Sequence, residues 1–366
     1  MQWSRSTSPL AAYLAASYVL LIIYACLHPL TGWQINGLSP FEYLFEPWPK
    51  YLRTEDIVVN ILGYVPLGFV LVPALIDRSG RLGAVLLAVL LGALLSFSIE
   101  TTQNFLPSRV ASNLDLGNNI IGTLIGALLG AMWGQRLFHR NGWLHRWRSN
   151  SIIDGRGGDA GLILAALWIL TQLMPDSMLF ATGDLRQLLG LNAPLSFDAQ
   201  RYQLLEAALV AVSMLAVGLL ARCMMQRSDV RPVLLLLLLG IAAKTLASWS
   251  FFVPGDAMAW LTPGTRMGAL AGMALLLVTW PLPPVSRHAL AGMALLGATV
   301  LANLMPDNPY LLFEQRLLDR GNFLNFHGLT KLIASTWPFI ALAYLSGLGL
   351  WRGEHLQLAD TRRRSV

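Results

Sequence analysis

The stretch LGAVLLAVLLGALLSFSIETT, residues 82–102, decides the fold. From Leu82 to Ile99 it carries no charged side chain, and Glu100 stands at its end. A helix rising 1.5 Å per residue needs about 20 apolar residues to cross a bilayer, and this run supplies them. Nine further runs read the same way, giving ten predicted spans at 10–28, 57–76, 82–102, 116–135, 159–175, 203–224, 232–252, 262–281, 289–305 and 333–351. The whole chain agrees with them. Of its 366 residues 55% are hydrophobic and only 13% charged, with a mean hydropathy of +0.55, whereas a soluble domain carries about 25% charged residues. A soluble enzyme and a nucleic-acid module are excluded. So is a disulfide scaffold, since Cys26 and Cys223 are the two cysteines and end different apolar runs. The expected fold class is all-α: a polytopic helical membrane protein of about ten transmembrane helices.

Charge sets the expected orientation. The net charge of +6 would suggest nucleic acid as a partner in a soluble protein. Here it reads as the tendency of Lys and Arg to accumulate on cytoplasmic loops. With the N-terminus inside, 16 of the 26 basic residues and 6 of the 20 acidic ones fall on the cytoplasmic side. Both termini are then cytoplasmic, and Met1–Arg5 before the first apolar run fits a signal anchor. The segment 136–158 becomes a basic cytoplasmic loop, with anionic lipid a natural contact.

Long outer segments follow spans one, five and nine, at 29–55, 176–201 and 306–332. Leu173-Met174-Pro175-Asp176 in one recurs as Leu304-Met305-Pro306-Asp307 in another, and Leu27-His28-Pro29 is a weaker match. Each loop then carries a short amphipathic stretch, around Phe41–Phe45, Asp184–Gly190 and Glu314–Gly321, suited to the membrane interface. The pattern suggests a tandem four-helix repeat: a first unit at 1–135, a divergent second unit at 159–281, and a two-helix C-terminal unit with a basic tail at 282–366. Matching Pro254 to Pro107 sets Asp256 on Arg109 and Arg266 on Asn119, while Glu206 falls on Asp56 and Lys244 near the level of Glu100.

Polar groups within spans are costly and therefore informative. In the first unit they cluster. Asp56 and Asn60, and Asp115 and Asn119, are four apart, and Glu100 and Gln103 three apart, so each pair shares a helix face. With Arg109 in the short loop between them, the charge-derived topology brings all these groups to the outer leaflet as one polar pocket. Gly122, Gly126 and Gly130 form a small-residue stripe for close helix approach. A structural ion-pair network at the helix ends accounts for the same residues and stays open beside ligand binding. No pair of the six histidines has metal-ligand spacing, no phosphate loop or nucleophile motif is present, and neither metal nor cofactor is expected. No residue is assigned a catalytic role.

Asn60 with Tyr64, Pro66-Leu67-Gly68, Glu100-x-x-Gln103, Pro107-x-Arg109 and Asp115-x-x-x-Asn119-x-x-Gly122 together resemble the VanZ-like family, named for low-level teicoplanin resistance. The resemblance spans about residues 45–135. It implies a multi-pass protein of the bacterial plasma (inner) membrane connected with the cell envelope. The expected function is binding of a lipid-linked cell-wall or polysaccharide precursor, or a lipoglycopeptide-like amphiphile, in the outer-leaflet pocket. Expected ligand contacts are Asp56, Asn60, Glu100, Gln103, Arg109, Asp115 and Asn119, with Lys244 and Arg266 as cationic groups of the second unit. The partners are membrane lipids and that precursor, not nucleic acid. A membrane enzyme with carboxylate acid–base chemistry and a lipid transporter are the alternatives.

Overall fold

The computed structural model describes residues 10–27, 30, 32–35, 37, 39–47, 54–107, 109–139, 142–153, 156–174, 176–251, 257–308 and 327–364. The described residues divide into two compact units, those up to Ser149 and those from Asn150 onward. All regular structure among them is helical apart from one isolated bridge, Ile152 with Met225. Among the described residues seven helices are long and apolar enough to cross a membrane. The protein is a polytopic helical membrane protein.

The first unit holds α1 (Leu10–Leu27), α2 (Thr54–Gln103) and α3 (Asn113–Leu129). The 50-residue α2 is two limbs joined at Gly80, whose φ of 70° and ψ of 176° are non-helical. Only glycine takes such a conformation without strain, so Arg78-Ser79-Gly80-Arg81 turns the chain between the two runs that read as separate spans. Ser112 caps α3, accepting from the N–H groups of Leu114 and Asp115. A π turn at Gly130–Gly134 and a last α turn at Gln135–Phe138 extend α3, and Trp143–Ser151 forms α4.

The glycine stripe of α3 packs on the first limb of α2. A methyl group at Gly122, Gly126 or Gly130 would collide with the carbonyl of Ile61, Val65 or Phe69 respectively. In hydrocarbon the backbones gain dispersion contact by this approach, where no hydrophobic force separates helix from lipid. Below it lies a core of Leu67, Val72, Ala84, Ala88 and Ala127, all fully buried.

The second unit contains α5 (Arg156–Thr171), α6 (Ala199–Cys223), α7 (Arg231–Phe251), α8 (Pro263–Thr279), α9 (Pro284–Leu304) and α10 (His327–Arg364). Helices α5 and α8, of 16 and 17 residues, are the short members. Helix α6 is its centre, buried around nearly its whole circumference from Leu209 to Cys223, as an all-round apolar helix should be. Trp168, Phe180, Leu295 and Trp337 fill the space about it.

Here too a glycine stripe joins two helices. Gly264, Gly268 and Gly272 of α8 face the carbonyls of Gln203, Ala207 and Ala211 of α6. Both partners are displaced by 142 residues from their counterparts in the first unit, so the two helix pairs share one packing register. In that register Glu206 stands at the place of Tyr64, not of Asp56. The proline match used to align the sequence gives a different shift, whereas the glycines are fixed by contact. Asp256 and Pro254 lie outside the described residues.

The loops agree in part with expectation. Glu42–Phe45 forms one short 3-10 turn, in which Tyr43 is buried while Phe41 and Phe45 at its edges are exposed. Arg186–Leu189 forms another short helix, ended by Gly190 in the left-handed conformation. The stretch at Glu314–Gly321 lies outside the described residues.

Candidate functional site

Three chain segments bring the polar residues of the first unit together: the first turns of α2, the end of its second limb, and the start of α3. Asn60 donates from Nδ2 to Asp115 Oδ1 at 2.6 Å, tying α2 to α3. Asn119 donates from Nδ2 to Ser96 Oγ at 2.9 Å, tying α3 to the second limb. Glu100 accepts the backbone N–H of Ser112 on Oε2 at 3.0 Å, which anchors the residue that caps α3. Arg109 and Asp115 are charges that act on Glu100 through space. Glu100 and Asn119 are each only 4% exposed, and Tyr64 is packed against Ser96 in the same layer.

Two of the expected ligand contacts turn toward the chain itself. Gln103 donates to the carbonyl of Cys26 at 2.9 Å, and Arg109 donates from Nη2 to the carbonyl of Ala25 at 3.1 Å. These carbonyls end α1, where no later turn can satisfy them, and a cation there also meets the negative end of the helix dipole. Burial lowers the pKa of Arg109, while Cys26 and Glu100 act in the opposite direction. Asp56 lies in the first turn of α2, and its side chain is outside the described residues.

The polar layer retains unused capacity. Asn119 Oδ1 and Asn118 Nδ2 are buried with no hydrogen-bond partner among the described residues. A buried amide atom left unpaired costs about 1–3 kcal/mol, and a ligand hydroxyl or amide would recover that. The rim continues into the loop after α1: Tyr43 and Thr101 hydroxyls lie 3.2 Å apart, and Asn104 and Asn113 donate to the carbonyls of Pro40 and Glu46, each at 2.7 Å, fastening that loop over the helix ends. Burial raises the pKa of the Tyr43 phenol, with Thr101 lowering it and Glu100 raising it.

Residues 12–134 match the sequence model of the VanZ/LLP1 family. This unit is VanZ-like. The match takes in α1, both limbs of α2 and the length of α3, and with them every polar residue described above and the glycine stripe. It includes none of the second unit. No curated protein matches the chain, and no solved structure does either.

Lys244 and Arg266 belong to the second unit. Lys244, 1% exposed, directs its ammonium to the carbonyl of Met174 at 2.6 Å, to the carbonyl of Ser177, and to Ser177 Oγ at 3.2 Å. An ammonium has three N–H donors, and three acceptors surround this one. Asp176 is the charge beside it. Glu206 is held instead by Thr262 and Thr265 hydroxyls at 2.5 and 2.9 Å. Arg266 is exposed on α8.

Lys244 explains the repeated Met-Pro-Asp. In each copy the methionine lies just beyond a helix end and a cation takes its carbonyl: Lys244 for Met174, and Arg186 for Met305 at 2.5 Å with Asp307 3.6 Å away. Arg109 does the same for α1 of the VanZ-like unit. Sequence reasoning missed Ser96 as a member of the polar layer. Ser96 stands four residues before Glu100, so helical spacing was the signal that could have found it.

Proposed function

We propose that the VanZ-like unit binds the polar head of an amphiphile of the bacterial cell envelope, a lipid-linked precursor or a teicoplanin-like lipoglycopeptide, at the outer leaflet of the plasma membrane. The observation that carries this reading is the polar layer in which half-buried Asn60 and Asp115 adjoin buried Ser96, Asn119 and Glu100, and in which Asn119 Oδ1 and Asn118 Nδ2 lack partners among the described residues. A layer built only to fix helix packing would be saturated, because unpaired polar atoms are dearest where water is absent. Carboxylates and carboxamides suit the hydroxyl and amide groups of sugars and peptides, while Gln103 and Arg109 hold α1 in place beside them. The arginine distribution puts this end of the helices outside, on the side where such heads are found.

The test is titration of the purified chain in nanodiscs with fluorescent teicoplanin and with a lipid-linked disaccharide-peptide precursor. The expected result is saturable binding of one of the two. A Glu100→Gln, Asp115→Asn double variant is expected to bind about tenfold more weakly or worse, the value of a charge-assisted hydrogen bond, with its melting temperature near that of wild type. Equal affinity in wild type and double variant, or no binding of either probe, overturns the reading.

A further inference from the structure

The second unit carries a cationic cleft that the reading above does not use. It encloses about 460 Å³ between the connection after α6 and the connection between α8 and α9. Arg222, Arg227, Arg287, Ser228 and Trp280 line it, and no acidic side chain does. Asp229, next to Ser228 in sequence, is turned to Arg231, accepting from its backbone N–H at 3.0 Å.

Arg222 is the centre of the cleft. It is 4% exposed, its guanidinium carbon lies 3.9 Å from the centroid of the Trp280 ring, and Nη2 donates to Ser228 Oγ at 2.9 Å. Stacking on the indole holds the guanidinium plane fixed and leaves its edge for an acceptor lying in that plane. Nη1 on that edge is buried and has no hydrogen-bond partner among the described residues, and neither has Nε of Arg287. Two arginines therefore bring unfilled donors to one cleft against their mutual repulsion, an arrangement that an anion would relieve.

The cleft is a built one. Its floor follows α6, which packs against both α8 and α9. The connection bearing Arg227 and Ser228 is pinned by the chain before α5: Ile153 N–H donates to the Met224 carbonyl and Gln226 N–H to that of Ser151, both at 3.0 Å. A planar guanidinium stacked on Trp280, with a second arginine lining the same cleft, matches two oxygens of a phosphate.

We propose that this cleft binds a phosphate group, Arg222 holding it in the plane of the guanidinium and Arg287 closing on it from α9. The group belongs to a lipid headgroup or to a soluble phosphate ester, and the experiment separates the two. The full-length chain in detergent micelles at 0.15 M salt is titrated calorimetrically with lysophosphatidic acid, with glycerol 1-phosphate, and with a monoacylglycerol that has the same acyl chain and no phosphate. Binding of lysophosphatidic acid and not of the monoacylglycerol is expected. Glycerol 1-phosphate binding as well would mean that the phosphate alone suffices, and its failure to bind would assign the source to lipid. Arg222→Gln is expected to weaken binding about tenfold or more, as loss of a charge-assisted hydrogen bond does. Should that variant fail to fold, Arg287→Gln at the half-buried edge is read in its place, with about a fivefold loss expected from its more exposed contact. Equal binding of lysophosphatidic acid and monoacylglycerol, or full affinity in a folded arginine variant, overturns the proposal.

Discussion

The pair formed by α2 and α3 and the pair formed by α6 and α8 are built on the same scaffold and differ in their chemistry. In each, three glycines four residues apart face three backbone carbonyls of the partner helix, in a common register. In that register the places of Asn60, Asp115 and Asn119 are taken by Tyr202, Ala257 and Leu261, and that of Tyr64 by Glu206. Where the VanZ-like unit joins its helices through several polar residues, the second unit has Glu206 of α6 accepting from the Thr262 and Thr265 hydroxyls at the start of α8. Close backbone packing is the shared requirement. The polar layer is an addition to it, which is why it reads as a site.

The largest effect tests the shared scaffold. Gly126→Val and Gly268→Val should each cost about 3 kcal/mol by overpacking against a backbone that cannot yield, with loss of folded protein in both, measured by abundance and thermal unfolding in detergent. If only one is harmful, the two pairs are not held by the same contact. The next tests the helix-end cations. Lys244→Met strands the Met174 and Ser177 acceptors in a buried place and should cost about 2 kcal/mol, whereas Arg109→Met, at a partly exposed carbonyl, should cost about 1 kcal/mol. A larger loss for Arg109 would mean that the VanZ-like unit depends on its cation more than the second unit does.

Smaller still is Glu100→Gln. Its amide oxygen keeps an acceptor for the Ser112 N–H, so the loss of stability should stay below about 1 kcal/mol by the same melting measurement. Cysteines in place of Ser149 and Asn192, both exposed, should leave stability unchanged. An impermeant thiol reagent on intact cells should label the one at 192 and spare the one at 149. The reverse pattern would invert the orientation and move the polar layer to the inner face.

Much of this was legible in the sequence. Run length and scarce charge marked the helices, Arg78-Ser79-Gly80-Arg81 marked the reversal within α2, and spacing placed Asn60, Glu100, Asp115 and Asn119 on facing surfaces. What was not legible depends on where long side chains turn. Nothing in the spacing of Arg109 or Gln103 tells that they reach back to the end of α1, some eighty residues earlier. Lys244 read as a group for an anionic ligand because its partners are backbone carbonyls, which every residue has and no sequence displays. Arg222 and Arg287 passed as topology markers, since the Trp280 stacking that sets Arg222 apart is a tertiary contact.

The central claim is that the carboxylates of the VanZ-like unit act on a ligand and do not only hold helices. Its most direct test is teicoplanin susceptibility of cells carrying wild type or the Glu100→Gln, Asp115→Asn double variant, expressed per folded molecule. The account predicts that the variant accumulates and melts almost as wild type does while any protection is lost. Full protection by a well-folded double variant, or a loss strictly proportional to missing protein, would contradict it.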